Sequence, residues 1–146
     1  MIALLQRTRS ASVTIDGRLV SETGAGMLAL VGFSRDDEES RLDRFIERIL
    51  NYRMFVDAEG RMNRSLREVG GELLLVPQFT LAADTNSGNR PSFTPAAAPE
   101  KGRMLFEALE KRLGQAWPDC AFGVFGADMQ VALVNDGPVT FWIEVD

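Results

Sequence analysis

Three residues with chemically useful side chains, Gln78, Phe79 and Thr80, follow an apolar run at 73–76 that ends in Pro77. Such a run is typical of a buried strand, and a proline, which lacks an N–H, suits a strand end. An amide, a ring and a hydroxyl are therefore placed where a strand meets a long polar loop, a common position for binding and catalytic groups. On composition alone, a strand followed by an ordinary surface loop is the better interpretation.

The hydroxyl of Thr80 is a possible nucleophile, but the sequence contains no histidine to activate it. The missing histidine excludes Ser-His-Asp and Cys-His catalysis and argues against a zinc site. It also favours Cys120 as a small apolar residue over a catalytic thiol. The acidic run at 36–39 could suggest metal binding, but negative charge is more typical of a helix start. We expect no metal and no cofactor.

Length and charge limit the possible partners. A chain of 146 residues is long enough for one domain with its own core. Its net charge of −5 argues against binding along the length of a nucleic-acid duplex, so any nucleic acid that the chain contacts should be a short piece. We expect no membrane association, since no apolar run approaches the roughly 20 residues of a membrane span. The N-terminus lacks a secretory pattern, and a single cysteine cannot form an internal disulfide, so we expect a cytoplasmic protein.

Apolar periodicity and turn signals predict the elements that would position these residues. Asp16-Gly17 suits the tight turn of a hairpin, and Asp57–Gly60 is a second turn signal. The predicted strands, in order, span residues 1–9, 12–15, 18–20, 27–33, 73–76, 120–125, 129–134 and 139–145. Segment 135–138 is interpreted as the turn between the last two strands.

Two helices are predicted. The first lies within 36–53, where apolar residues from Leu42 to Leu50 recur with helical spacing. The second begins at Pro99, a proline suited to a first turn, and Gly114 is its predicted C-cap. The sequence therefore predicts a single α/β domain over 1–146, with mixed strands in a barrel-like sheet and two main helices.

Two blocks of the sequence resemble the D-aminoacyl-tRNA deacylases. The first motif block consists of Gln78-Phe79-Thr80-Leu81, Ala83-Asp84-Thr85 and Gly88-Asn89-Arg90-Pro91-Ser92-Phe93. The second motif block is Asn135-Asp136-Gly137-Pro138-Val139-Thr140. The likeness also includes Gln6-Arg7, Ala11-Ser12-Val13-Thr14 and Phe125-Gly126-Ala127-Asp128-Met129-Gln130-Val131. The family usually has a serine where this chain has Pro77. A related deacylase group has Pro-Gln-Ala-Thr there, but Phe79 places this chain with the main family.

The resemblance implies a homodimer that hydrolyses the ester of D-aminoacyl-tRNA, and of mischarged glycyl-tRNA, without a metal. Gly137 and Pro138 would form a Gly-cis-Pro element that reaches into the partner subunit's site. Its backbone carbonyls would occupy the space that an L side chain needs. Arg7 would hold this element in place. Taken without the resemblance, the same segment is a hairpin turn.

The resemblance also assigns roles around the substrate. Phe125 and Met129 would contact the terminal adenosine, or else serve as ordinary core residues. Gln78 would orient the substrate or satisfy backbone groups, and the N–H groups of Phe79 and Thr80 would stabilise the oxyanion. Because Thr80 has no evident base, we favour assistance by the ribose 2′-hydroxyl over a threonine nucleophile.

A second function, from a different class, stays open at this point. Some relatives of this fold are proposed to be non-catalytic nucleic-acid-binding or assembly modules. The net charge of −5 argues against broad nucleic-acid binding. The departure at Pro77 is a separate point: proline cannot supply the hydroxyl of the family's usual serine, so any contact made through that hydroxyl is missing here.

Overall fold

A six-stranded sheet built around the first strand, β1 (Ile2–Ile15), organises the chain. The computed structural model describes residues 1–146. The other strands are β2 (Arg18–Thr23), β3 (Gly26–Gly32), β4 (Phe55–Val56), β5 (Met62–Arg64), β6 (Glu72–Pro77), β7 (Cys120–Phe122) and β8 (Gln130–Glu144). The helices are α1 (Leu42–Asn51), α2 (Leu66–Val69) and α3 (Pro99–Ala116), with 3₁₀ segments at Glu39–Arg41 and Phe79–Ala82.

Both edges of β1 are paired. One edge pairs with β3 through Ile2–Thr8 and with β2 through Ala11–Ile15, while the other pairs with β8 over almost its whole length. Beyond β3 the sheet continues through β6 and β7, whose pairings are parallel. The chain forms a single α/β domain whose sheet is nearly closed and barrel-like, as the sequence predicted.

The central strand β6 is buried on both faces, which explains its continuous apolar run. Leu73 and Leu75 point into the large cluster beneath α1 and α3, whereas Leu74 and Val76 join a smaller cluster on the opposite face. The helical stripe predicted from Leu42 to Leu50 is buried in that large cluster. None of the helices combines the length and apolar character that crossing a bilayer requires.

The interpretation of 135–138 as a turn is wrong, because the chain does not reverse there. Strand β8 continues through this segment and pairs with β1 on both sides of it, at Thr8↔Asn135 and Gln6↔Thr140. Between these two pairs β1 has one residue, Arg7, whereas β8 has the four residues 136–139, so the extra residues leave the ladder as a bulge. The segment projects from a strand that is held at both ends.

Three smaller predictions also differ from the structure. The two strands predicted at 1–9 and 12–15 form one strand, because β8 supplies a partner along both halves. Gly114 is not a C-cap, since α3 continues to Ala116 and the N–H of Trp117 donates to Leu113. The first helix begins only at Leu42, after a 3₁₀ segment.

Candidate active site

The chain leaves the sheet at the end of β6, where the sequence predicts a site. Pro77 is the last residue of the strand, and the N–H of Gln78 still donates to the Val31 carbonyl at 2.6 Å. The backbone then turns into the 3₁₀ segment Phe79–Ala82. This close return depends on Gly32, since a Cβ there would lie 2.7 Å from the Gln78 carbonyl oxygen.

A cavity of about 400 Å³ opens at this strand end. It contains five of the nine predicted site residues: Pro77, Gln78, Phe79, Phe125 and Met129. The remaining lining is apolar or glycine: Val31, Gly32, Phe33, Val76, Ala97, Pro99, Gly102, Gly126, Ala127 and Val131. No side chain that lines the cavity titrates, so the cavity itself offers no general acid or base.

Thr80 lies next to the cavity and is exposed. Its hydroxyl oxygen accepts a hydrogen bond from the side-chain amide of Gln78 at 2.5 Å. An amide N–H is a donor and cannot remove the hydroxyl proton, so this contact does not activate Thr80 as a nucleophile.

Backbone donors are available at the same place. The first N–H groups of a helix have no partner within the helix. In the segment Phe79–Ala82 these are the N–H groups of Phe79 and Thr80, because the N–H of Leu81 already donates to the backbone carbonyl of Gln78 at 3.3 Å. Both free donors lie at the strand end, directly after a residue that lines the cavity.

Phe125 lines the cavity and also packs against the core. Its ring centroid lies 6.1 Å from that of Phe106, and the Arg103 guanidinium lies 5.1 Å above its ring. A Cβ on Gly102 would come within 3.1 Å of the same ring, so this glycine inside α3 leaves the space that the ring fills. Packing and cavity lining are therefore compatible roles for Phe125.

Met129 is fixed in a similar way. Its sulfur accepts from the N–H of Val124 at 3.3 Å, and a Cβ on Gly123 would lie 3.0 Å from that sulfur. The same Cβ would lie 3.2 Å from Pro77 and 3.3 Å from Val76, so three residues that line the cavity meet around one glycine. Neither glycine position was identified from the sequence, although a glycine in the interior of a helix, as at Gly102, is a usable signal.

A pair of exposed aromatic rings forms the rim near Phe79. Phe79 is 54% exposed and Phe93 is 44% exposed, and their centroids lie 5.1 Å apart with the rings tilted. The polar loop is closed by reciprocal backbone hydrogen bonds between Asp84 and Ser92, of 2.8 and 3.0 Å, which return Phe93 to the strand end. Phe93 was not among the predicted site residues, although it ends the first motif block.

The bulge in β8 is held by a network of polar contacts. The Arg7 side chain donates to the carbonyl of Asp136 at 3.0 Å and to that of Met54 at 3.1 Å. Asn135 accepts from the N–H of Val139 at 3.0 Å through its side-chain oxygen. The side chain of Asn135 was not predicted to take part, and its position in the second motif block is the only signal for it.

Gly137 and Pro138 are exposed at the tip of this bulge, and the bond between them is cis. Gly137 has φ +134°, and a Cβ there would lie 2.7 Å from the Val139 side chain and 3.1 Å from the Arg7 guanidinium. Neither residue lines the cavity of its own chain. The predicted residues are thus in two places, one at the end of β6 and one on β8.

Cys120 lies outside both places. Burial raises the pKa of its thiol to about 11, and the nearby carboxylates of Asp119 and Glu110 add to the shift. The thiolate is therefore scarce near neutral pH, in keeping with the interpretation of Cys120 as a small apolar residue. No three cysteine or acidic side chains converge as a set of metal ligands.

Comparison with known proteins identifies the class to which this chain belongs. The family described as D-Tyr-tRNA(Tyr) deacylase matches residues 4–144. The chain therefore belongs to the D-aminoacyl-tRNA deacylase family, and it is a hydrolase of that class. The family and enzyme class predicted from the sequence are confirmed.

Individual relatives cover nearly the whole chain. A D-aminoacyl-tRNA deacylase from Alkalilimnicola ehrlichii is 58% identical, over 99% of this chain and 96% of its own length. One from Escherichia coli is 51% identical, over 99% of this chain and 100% of its own length. The solved structure of a protein named c-Myc DNA Unwinding Element Binding Protein superposes with a TM-score of 0.94 at 36% identity, covering 100% of this chain and 99% of that one.

Proposed function

We propose that the chain hydrolyses the ester joining a D-amino acid to the terminal ribose of tRNA, and that it also acts on glycyl-tRNA. The observation that carries this proposal is the apolar cavity at the end of β6, beside free backbone donors and without a titratable side chain. Such a site can bind an adenosine and a small acyl group, but it has to obtain its acid–base chemistry from the substrate.

In the proposed reaction, a water oxygen bonds to the ester carbonyl carbon and the bond to the ribose 3′-oxygen breaks. The 2′-hydroxyl of the substrate helps activate the water, and the proton ends on the departing 3′-oxygen. The N–H groups of Phe79 and Thr80 stabilise the oxyanion, a contribution typically worth about 10²–10³ in rate per donor. Gln78 orients the ester, while Phe125 and Met129 contact the adenosine.

Selection against L-amino acids is assigned to Gly137 and Pro138 of the partner subunit in a homodimer. Three observations support this assignment: the element is exposed, it is fixed by Arg7, and it lies outside the cavity of its own chain. Its carbonyls would fill the space of an L side chain, whereas glycine has no side chain to clash. Pro77 borders the same cavity without offering a hydroxyl.

The test is a pair of deacylation time courses on D-Tyr-tRNA and L-Tyr-tRNA with chelator-treated protein. Release of D-tyrosine alone supports the proposal, and equal rates on both substrates contradict the chiral part. A monomerising substitution should abolish turnover without unfolding the chain. A fully active monomer would contradict the cross-subunit arrangement.

The name of the 36% identical protein, which describes binding to a DNA element, keeps a nucleic-acid-binding role as the second candidate. That role predicts binding of tRNA or DNA without release of amino acid. Absence of turnover on every aminoacyl-tRNA, together with tight binding of nucleic acid, would favour it over hydrolysis.

A further inference from the structure

A second groove, of about 680 Å³, lies on the outer face of α1, apart from the cavity. We call it the arginine groove, and its lining residues are Arg44, Glu47, Arg48, Asn51, Tyr52, Arg53, Met62 and Phe141. We propose that the arginine groove binds the phosphodiester backbone of the tRNA acceptor stem. This inference rests on the proposed function, because it assigns a place to the RNA that carries the ester.

The helical pattern places the arginines on one surface. The apolar stripe of α1 faces the core, so Arg44 and Arg48, four residues apart, lie together on the exposed side. Arg53 follows two residues after the helix ends and is also exposed. Its guanidinium is oriented by a hydrogen bond of 3.2 Å to the side chain of Asn63.

The positive charges in the lining of this groove outnumber the negative ones. None of Arg44, Arg48 and Arg53 forms an ion pair, and Glu47 is the only acidic residue of the lining. The arginines that do pair with carboxylates lie elsewhere: Arg7, Arg9, Arg35, Arg41 and Arg112. Although the chain has a net charge of −5, the lining of this groove has three arginines against one glutamate.

Guanidinium groups suit phosphate because their planar donors match its oxygens in a bidentate arrangement. Three arginines are enough for a short stretch of backbone and too few for a long duplex. The occupant that fits this charge and this length is therefore the stem next to the aminoacylated end.

The groove adjoins the bulge of β8. Tyr52 and Phe141, which both line the groove, pack with ring centroids 5.1 Å apart, and Phe141 is on β8 itself. Arg7 links the Met54 carbonyl, just after this tyrosine, to the Asp136 carbonyl, just before Gly137. In the proposed homodimer, an RNA whose 3′ end lies in the cavity of the partner subunit meets that bulge and therefore passes close to these arginines.

The test compares the triple variant Arg44→Gln, Arg48→Gln, Arg53→Gln with the control Arg18→Gln. Arg18 is exposed on β2 and forms no ion pair or side-chain hydrogen bond. The dissociation constant of uncharged tRNA is measured between 50 and 200 mM salt. Loss of three phosphate contacts should make the slope of the logarithm of the association constant against the logarithm of the salt concentration less negative by about 2–3. Over this range the wild-type affinity should fall about 16- to 64-fold more than that of the triple variant.

A substrate without phosphates separates this inference from the proposed function. Relative to wild type, the triple variant should lose its preference for D-Tyr-tRNA over 3′-O-(D-tyrosyl)adenosine, and the control should keep it. A wild-type protein that hydrolyses neither ester contradicts the proposed function, while the binding slopes still decide about the groove. Equal slopes in the triple variant and the wild type would overturn the inference, as would a change in the oligomeric state of the triple variant.

Discussion

Replacement of Thr80 by alanine distinguishes a nucleophilic hydroxyl from a backbone donor. In the structure the Thr80 hydroxyl accepts one hydrogen bond, from the Gln78 side chain, and no base contacts it. Alanine removes that hydroxyl but keeps the N–H. If the backbone group is what contributes to catalysis, the variant should remain an active enzyme.

The expected loss follows from that single hydrogen bond. A hydrogen bond of this kind contributes about 0.5–1.5 kcal/mol, which corresponds to about a 2- to 13-fold change in rate. Loss of a true nucleophile costs about 10⁶-fold in a serine protease. The two hypotheses therefore differ by several orders of magnitude, far beyond the error of an assay.

The assay is single-turnover deacylation of D-Tyr-tRNA by the wild type and by Thr80→Ala. Thr80→Ser is the matched control, because it retains both the hydroxyl and the N–H. We expect Thr80→Ala to stay within about 13-fold of the control. A fall to the uncatalysed rate, or an acyl ester trapped on Thr80, would refute the reasoning.

Four further perturbations test other parts of the structure. Phe79→Pro removes the backbone N–H at a helix start, a position that tolerates proline. If this N–H stabilises the oxyanion, kcat should fall about 10²–10³-fold relative to Phe79→Ala. Equal rates in the two variants would exclude the Phe79 N–H as a donor. Gly137→Ala, at φ +134°, should cost about 1–3 kcal/mol of local strain and depress deacylation of D-Tyr-tRNA and glycyl-tRNA together; unchanged rates would contradict this. Asp37→Asn should lower the free energy of unfolding by about 3–5 kcal/mol in a denaturant titration, because the buried carboxylate pairs with the Met1 amino group at 2.7 Å. The control Asp36→Asn, at an exposed carboxylate, should change this free energy little. Folding raises the pKa of Cys120 from 9.0 to about 11, so the neutral thiol contributes stability that is fully present below pH 9 and is lost as the pH rises to 11. Cys120→Ala should remove this dependence of the free energy of unfolding on pH.

The sequence predicted those elements whose pattern is local. The stripe from Leu42 to Leu50 indicated α1, and the Asp16-Gly17 signal matches the turn between β1 and β2. The apolar run ending at Pro77 indicated a buried strand and the place where a site begins. In each of these cases the residues that determine the element are close together in the sequence.

The predictions that failed depended on distant partners. Segment 135–138 has the composition of a turn, yet β1 pairs with β8 on both sides of it and keeps the strand in line. The acidic residues before Leu42 resemble a helix start, but Asp37 is 3% exposed and holds the Met1 amino group instead. Apolar periodicity alone could not have linked Arg7 to Asp136, which lies far along the chain.

The pairing of β1 with β8 also has a consequence for synthesis. Ile2 is paired with Glu144, so the start of β1 meets this partner only after the distant strand β8 has been translated. Contacts between such distant segments slow folding, and until they form, one edge of β1 is open to pairing with other chains. Because β8 also carries the bulge with Gly137 and Pro138, a chain that ends early loses both the cover of that edge and the proposed selectivity element.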